Sequence, residues 1–117
     1  MFVHPVFLHP PAQKEIQSWP LSVKKDLGGI LTQLQKGEKV GFPDTRAMSA
    51  VAPGVIEIRL KGTDGIFRAF YILKSHTGII VFHAFQKKSQ KTPRQEIETG
   101  RIRLADFLRE LQNEEND

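Results

Sequence analysis

Cysteine is absent from the chain, which excludes disulfides and thiolate metal sites and allows a reducing compartment. Long apolar runs are absent too. Nothing reaches membrane-spanning length, and the N-terminus lacks the basic segment and apolar stretch of a secretory signal. A soluble, cytoplasmic protein is the expectation. There is no glycine-rich nucleotide loop, no His/Asp/Glu spacing of a metal site and no serine placed as a nucleophile. No metal and no other cofactor is therefore expected. Tyr71 and Trp19 are the single tyrosine and single tryptophan, so only one phenol is available for acid–base work. Repeats, low-complexity tracts and linkers are also missing, and the 117 residues are expected to form one domain, residues 1–117.

What is present is basic. The formal net charge of +4 understates this, because Glu114, Glu115 and Asp117 close the chain. Without those three the balance is 17 basic against 10 acidic residues, or +7. Between Gln86 and Arg103 there are six basic residues against Glu96 and Glu98. Such a body favours a polyanion such as nucleic acid, or an acidic protein partner.

The stretch from His83 to Pro93 concentrates this charge. It leaves an apolar run, Ile79 to Phe82, and then sets Lys87, Lys88 and Lys91 within five positions. Like charges at the end of a buried strand are costly unless an anion or open water receives them. A cationic rim on a rigid sheet suits phosphate, and a solvated connector is the other reading.

Hydrophobic periodicity gives the elements. Phe2 to Leu8, interrupted by Pro5, reads as an edge strand. Pro10-Pro11 opens a short helix carrying Ala12, Ile16 and Trp19. A second helix over Leu21–Gln35 has one apolar stripe: Val23, Leu27, Ile30, Leu31 and Leu34. Gly28-Gly29 inside it implies close packing against a neighbour, and Gly37 suits the C-cap. A short strand is placed within Ala47–Ala52, before a turn at Pro53-Gly54. Val55–Lys61 alternates, with Ile56, Ile58 and Leu60 on one face and Glu57, Arg59 and Lys61 on the other. Ile66–Lys74, after a turn at Thr63-Asp64-Gly65, and Ile79–Phe85 complete an antiparallel meander. A last helix from Pro93 to about Leu111 takes Thr92 as N-cap, with Gln95 at capping-box spacing. The predicted class is α+β: a twisted antiparallel sheet with an N-terminal helical hairpin and a C-terminal helix, one sheet face partly free.

That free face is expected to show Glu57 and Arg59, with Arg68 on the neighbouring strand and Lys87 and Lys88 arriving from the loop after the last strand. An Arg-Lys cluster holds a phosphate and stabilises charge developing on its non-bridging oxygens. A ribonuclease that uses the RNA's own 2′-hydroxyl needs only this clamp, a base and an acid. Glu57 is the candidate base, and its alternative is simple pairing with Arg59 or Lys61. Gln90, Ser89 and Lys91 are placed to contact RNA. Tyr71 and the histidines are the remaining acid–base candidates: His83 reads as a hydrogen-bonded core residue, His76 as exposed in a turn, and His4 and His9 as inert in a mobile terminus.

Three segments in this order resemble the RelE/ParE toxin superfamily, and within it the phage-derived, HigB-like branch. They are Pro53-Gly54-Val55-Ile56-Glu57-Ile58-Arg59, Phe67-Arg68-Ala69-Phe70-Tyr71, and the run from His83 through Phe85, Lys87, Lys88 and Lys91 to Pro93, followed by Glu96-Ile97 and Arg103. The resemblance runs from about Leu21 onward. It implies a RelE-like fold and the toxin of a type II toxin–antitoxin pair, one that cuts mRNA in the ribosomal A site. It also implies an antitoxin partner with a helix-turn-helix domain, through which alone operator DNA is reached. Arg59 and Arg68 fall where RelE-like enzymes surround the scissile phosphate, and Lys88 where they carry a basic residue after the last strand. RelE itself has a lysine at the position of Glu57 and a tyrosine near its C-terminus with no counterpart here, and the branch commonly has alanine at Gly100. A ParE-like poison of DNA gyrase and a catalytically inactive antitoxin-binding module are the alternative functions.

Overall fold

A computed structural model describes residues 4–87 and 92–116, the side chains of residues 115 and 116 excepted. In chain order the elements are β1 (Val6–Leu8), α1 (Pro10–Gln17), α2 (Leu21–Gln35), β2 (Thr45–Ala47), β3 (Ile56–Gly62), β4 (Gly65–Lys74), β5 (Gly78–Lys87) and α3 (Arg94–Asn116). The strands form one sheet in the order β1-β5-β4-β3-β2. The pairs among β2, β3, β4 and β5 are antiparallel, whereas β1 lies parallel to β5, with Val6 opposite Ile79. This is the α+β architecture read from the sequence, with one parallel pair added at the edge.

Each helix forms where its apolar positions repeat. Pro10 and Pro11 occupy the first turn of α1, where their missing N–H groups cost no hydrogen bond. Val23 and Leu27 of α2 are buried, and Ile30, Leu31 and Leu34 pack beside them. At the end of α2, Gly37 takes φ 81°. Its N–H donates to the Leu34 carbonyl and that of Glu38 to Gln33, both at 3.0 Å, which closes the helix as a Schellman motif.

Helices lie on both faces of the sheet, so the face expected to be partly free is covered in part by α3, while Lys61 of β3 stays exposed. On the hairpin side Ala12, Ile16, Trp19, Val23 and Leu27 pack against Ile58, Phe67, Ala69 and Tyr71. On the other side Leu104, Ile97, Phe107 and Leu108 of α3 pack against Phe70, Ile72, Ile80 and Phe82. Of the polar residues that alternate along β3, Glu57 is buried, Arg59 is partly buried and Lys61 is exposed. Burying each large apolar side chain of the α3-side core is worth about 1.5–3 kcal/mol.

Other local readings change as well. The strand placed in Ala47–Ala52 lies earlier, at Thr45–Ala47, where it pairs with Ile56–Ile58. The following residues turn instead, and Val51 drops into the α3-side core. Helix α3 begins at Arg94, and the Thr92 hydroxyl donates to the Glu57 carboxylate rather than capping it. The helix also continues past Leu111 to Asn116. Gly28 and Gly29 are not packing contacts, because a Cβ at either would meet nothing within 4 Å.

One irregularity decides which residues share a face. Phe70 of β4 faces His83, while the next residue, Tyr71, faces Val81, so Phe82 is an extra residue in β5. This bulge resets the alternation. Ile80, Phe82 and Phe85 all reach the α3-side core, and Ala84 faces the hairpin. Lys87, opposite Ile66, is thereby carried to the face that also holds Arg68.

At Gly100 the backbone of α3 packs tightly on the sheet. A Cβ there would sit 2.9 and 3.0 Å from ring atoms of Phe70, which is fully buried. Alanine would gain about 1 kcal/mol of helix propensity but lose more by overpacking. Gly100→Ala is expected to lower stability by about 1 kcal/mol net, read as a lower urea midpoint at unchanged slope.

Candidate functional site

The register of β3 and β4 places Arg59 directly opposite Arg68, with Glu57 opposite Phe70 one row away on the same face. Facing arginines on adjacent strands repel each other. Glu57 relieves this: its Oε1 lies 3.5 Å from Arg68 Nε and 3.9 Å from Arg59 Nε. Its Oε2 accepts the Thr92 hydroxyl at 2.6 Å, which ties β3 to the segment that leads into α3. Arg68 also donates through Nη1 to the Phe67 carbonyl at 3.2 Å. Lys87, brought round by the bulge, completes the group.

The cluster is more enclosed than the sequence implied. Glu57 and Arg68 are each 2% exposed and Lys87 6%, whereas the Arg59 side chain keeps 18%. Lys87 is therefore the buried last residue of a strand, not part of a loop. Burial pushes its ammonium below the ordinary lysine range, Arg68 and Arg59 push it the same way, and Glu57 opposes them. Arg68 is likewise lowered by burial, raised by Glu57 and lowered by Arg59. Arg59, Arg68 and Lys87 thus interact with one another and with the Glu57 carboxylate in one enclosed group.

An open cleft of about 900 Å³ reaches this cluster where β3 runs on beyond its pairing with β2. Arg59, Lys61 and Arg68 line its sheet side, α2 contributes Lys25, Asp26, Gly29 and Gln33, and the loop before β2 contributes Pro43 and Asp44. Of the residues expected to share a site, Glu57, Arg59, Arg68 and Lys87 come together. Lys88, Ser89, Gln90 and Lys91 lie outside the described residues. Sequence reading missed Thr92 as the partner of Glu57, because Thr-Pro before a helix has the form of a cap. It also missed the α2 wall, whose polar residues look like an ordinary solvent face.

The other acid–base candidates lie elsewhere. Tyr71 sits on the opposite face of β4, in the hairpin-side core, and burial pushes its phenol up. His76 is exposed in a turn. His9 is not in a loose terminus: its N–H donates to the Val81 carbonyl at 2.9 Å and its buried ring meets Phe107 edge-on at 5.5 Å. The His4 N–H likewise donates to the Gln35 carbonyl at 3.0 Å.

His83 is the hydrogen-bonded core residue that was expected. Its Nε2 lies 2.8 Å from Glu96 Oε1 and its Nδ1 2.9 Å from Arg103 Nη1. Arginine only donates, so Nδ1 accepts and Nε2–H donates, and the neutral ring is satisfied at both ends. Burial lowers its pKa below the ordinary 6.5, partly offset by the hydrogen bond to Glu96, and Arg103 lowers it further.

A family model described as Phage derived protein Gp49-like (DUF891) matches residues 14–105, most of the chain. The chain belongs to the Gp49-like family. This is a RelE-like toxin family, commonly the toxins of toxin–antitoxin pairs, and such toxins generally pair with an antitoxin. No curated protein and no solved structure matches the chain. In this Gp49-like protein the matched span holds Glu57, Arg59, Arg68, Lys87 and the α2 wall of the cleft. Among its described residues no helix is long and apolar enough to cross a membrane.

The His83 contacts set a pH dependence. The unfolded ring takes its proton near the ordinary value of 6.5 and the folded ring only below it. As pH falls through that window the unfolded state binds more protons, so stability falls with pH and levels off once the folded ring is also protonated. Denaturation midpoints measured downward from neutrality should show this slope, and His83→Gln should lack it.

Proposed function

We propose that this Gp49-like protein is the toxin of a type II toxin–antitoxin pair, of the HigB-like branch, and a ribosome-dependent mRNA endoribonuclease. The observation that carries this reading is that Arg59 and Arg68 share the Glu57 carboxylate and both line an open cleft. The substrate is mRNA in the ribosomal A site. A phosphodiester entering the cleft meets Arg59 first, with Arg68 behind it. The RNA's 2′-oxygen attacks the adjacent phosphorus and loses its proton, the bond to the 5′-oxygen breaks, and that oxygen takes up a proton. The products are a 2′,3′-cyclic phosphate and a free 5′-hydroxyl. Charge that develops on the non-bridging oxygens is met by the guanidinium groups. The reaction draws its nucleophile from the substrate and its charge stabilisation from side chains.

Within this reading Glu57 aims the two arginines. Both its oxygens are engaged, and for it to act as base those contacts would have to loosen when the phosphate arrives. Lys87, buried beside the arginines, adds a further positive charge behind them. Lys88, Gln90 and Lys91, which follow Lys87 directly, extend the contact along the RNA. The partner is an antitoxin with a helix-turn-helix domain, and operator DNA is contacted only through it.

Brief induction followed by primer-extension mapping of mRNA ends tests the proposal. The parent should arrest growth and leave cuts within translated codons. Arg59→Ala should lower cleavage by about 10²–10³-fold with its thermal midpoint little changed, and Lys88→Ala should also weaken it. Full cleavage by both variants would overturn the site. Intact transcripts with DNA-damage signalling would point to gyrase poisoning, and no growth effect with a tight antitoxin complex would point to a binding module. Either result would overturn the nuclease reading.

A further inference from the structure

Two glycines in the middle of α2 have no explanation inside the chain. Alanine at either would favour the helix, and a Cβ at either would meet nothing within 4 Å. Neither has a positive φ that would require glycine. Their surroundings differ. The Gly28 carbonyl accepts the Thr32 hydroxyl at 2.8 Å, and Gly28 does not line the cleft. Gly29 does, and it stands between Lys25 and Gln33 at steps of four residues, which form one row along a helix. The row therefore reads ammonium, gap, amide: a notch one side chain wide, cut into the wall that faces Arg59 and Lys61. Arg68, 2% exposed, lines the same cleft from the sheet.

We infer that single-stranded RNA flanking the cut phosphate runs from the arginine cluster over the free edge of β3 and across α2, with a nucleotide seated in the notch at Gly29. The inference rests on the nuclease reading above and adds a second wall to its site. Charge complementarity selects the occupant, since four basic side chains, Lys25, Arg59, Lys61 and Arg68, line the cleft against two acidic ones. Asp26 and Asp44 also line it, and they turn phosphates away while accepting hydrogen bonds from base amino groups. A base lying against α2 meets both an amide and a carboxylate, so this wall reads the base while the sheet side holds the backbone. Gly29 is then a clearance residue, its missing side chain replaced by the ligand.

The test measures binding of a fluorescein-labelled single-stranded RNA, methylated at its 2′-oxygens so that it is not cut, by fluorescence anisotropy on the purified full chain. Gly28→Ala and Gly29→Ala should each raise the thermal midpoint. Gly28→Ala should keep the parent affinity, while Gly29→Leu should weaken binding by at least about tenfold, equivalent to about 1.4 kcal/mol. Lys25→Ala, which leaves the notch open, should reduce the slope of log affinity against log salt by about 0.7. Loss of binding in Arg59→Ala with parent-like binding in Gly29→Leu and Lys25→Ala would overturn the α2 path and leave the nuclease site standing. Parent-like binding in all of them, Arg59→Ala included, would remove both. An equal loss in Gly28→Ala and Gly29→Leu would make the effect one of the helix as a whole and would overturn the notch.

Discussion

A single buried carboxylate holds the cationic face together. Without Glu57, Arg59 and Arg68 would confront each other across β3 and β4 in a site from which water is largely excluded. With it, each guanidinium has an anion within ion-pair range, and the hydroxyl of Thr92 fixes the second oxygen. That last contact links the middle of the sheet to the approach of α3, so the charge arrangement and the packing of the C-terminal helix depend on one another. The attraction within such an enclosed group offsets much of the desolvation its members suffer, and removing one partner is harsher than replacing the whole group by apolar side chains. Electrostatics here is part of the fold, not an addition to its surface.

The bulge in β5 has comparable reach. A strictly alternating strand with Ile80 and Phe82 toward α3 would send His83, Phe85 and Lys87 toward the hairpin. The extra residue at Phe82 reverses this, so that His83 meets Glu96 and Arg103, Phe85 joins the Phe70 cluster, and Lys87 joins the arginines. Charge on the last strand is thus delivered to the face where charge on the earlier strands already waits.

Much of this is legible in the sequence. The helices over Pro10–Gln17 and Leu21–Gln35 follow from apolar spacing and proline placement, and the meander of β3, β4 and β5 from alternation and turn residues. The grouping of Glu57, Arg59 and Arg68 is legible too, because period-two alternation and short turns constrain register, whereas Lys87 reads as part of a loop and reaches the group only through the bulge. What covers a face is not. Glu57 on an alternating strand looks solvent-facing, and only the tertiary arrangement that sets Arg68 and Thr92 against it shows that it is buried. Thr92 was misread because a hydroxyl before Pro93 serves equally well as a cap or as a donor to a distant carboxylate. The bulge left no mark, since an extra apolar residue in an apolar strand does not break its pattern. Gly28-Gly29 was read as a packing device because close contact is the usual reason for glycine in a helix, and open space cannot be told from contact by residue type.

The parallel pairing of Val6 with Ile79 ties the first strand to one that lies more than seventy residues later. On a chain emerging N-terminus first, that strand has no partner until nearly all of the sheet has been made. The edge it closes is adjacent to β5, whose far end carries Lys87, and the hydroxyl that steadies Glu57 comes from Thr92, later still. The cationic face therefore cannot be completed on a nascent chain before Thr92 is available, and a translation product truncated before β5 would carry neither the finished sheet nor its chemistry.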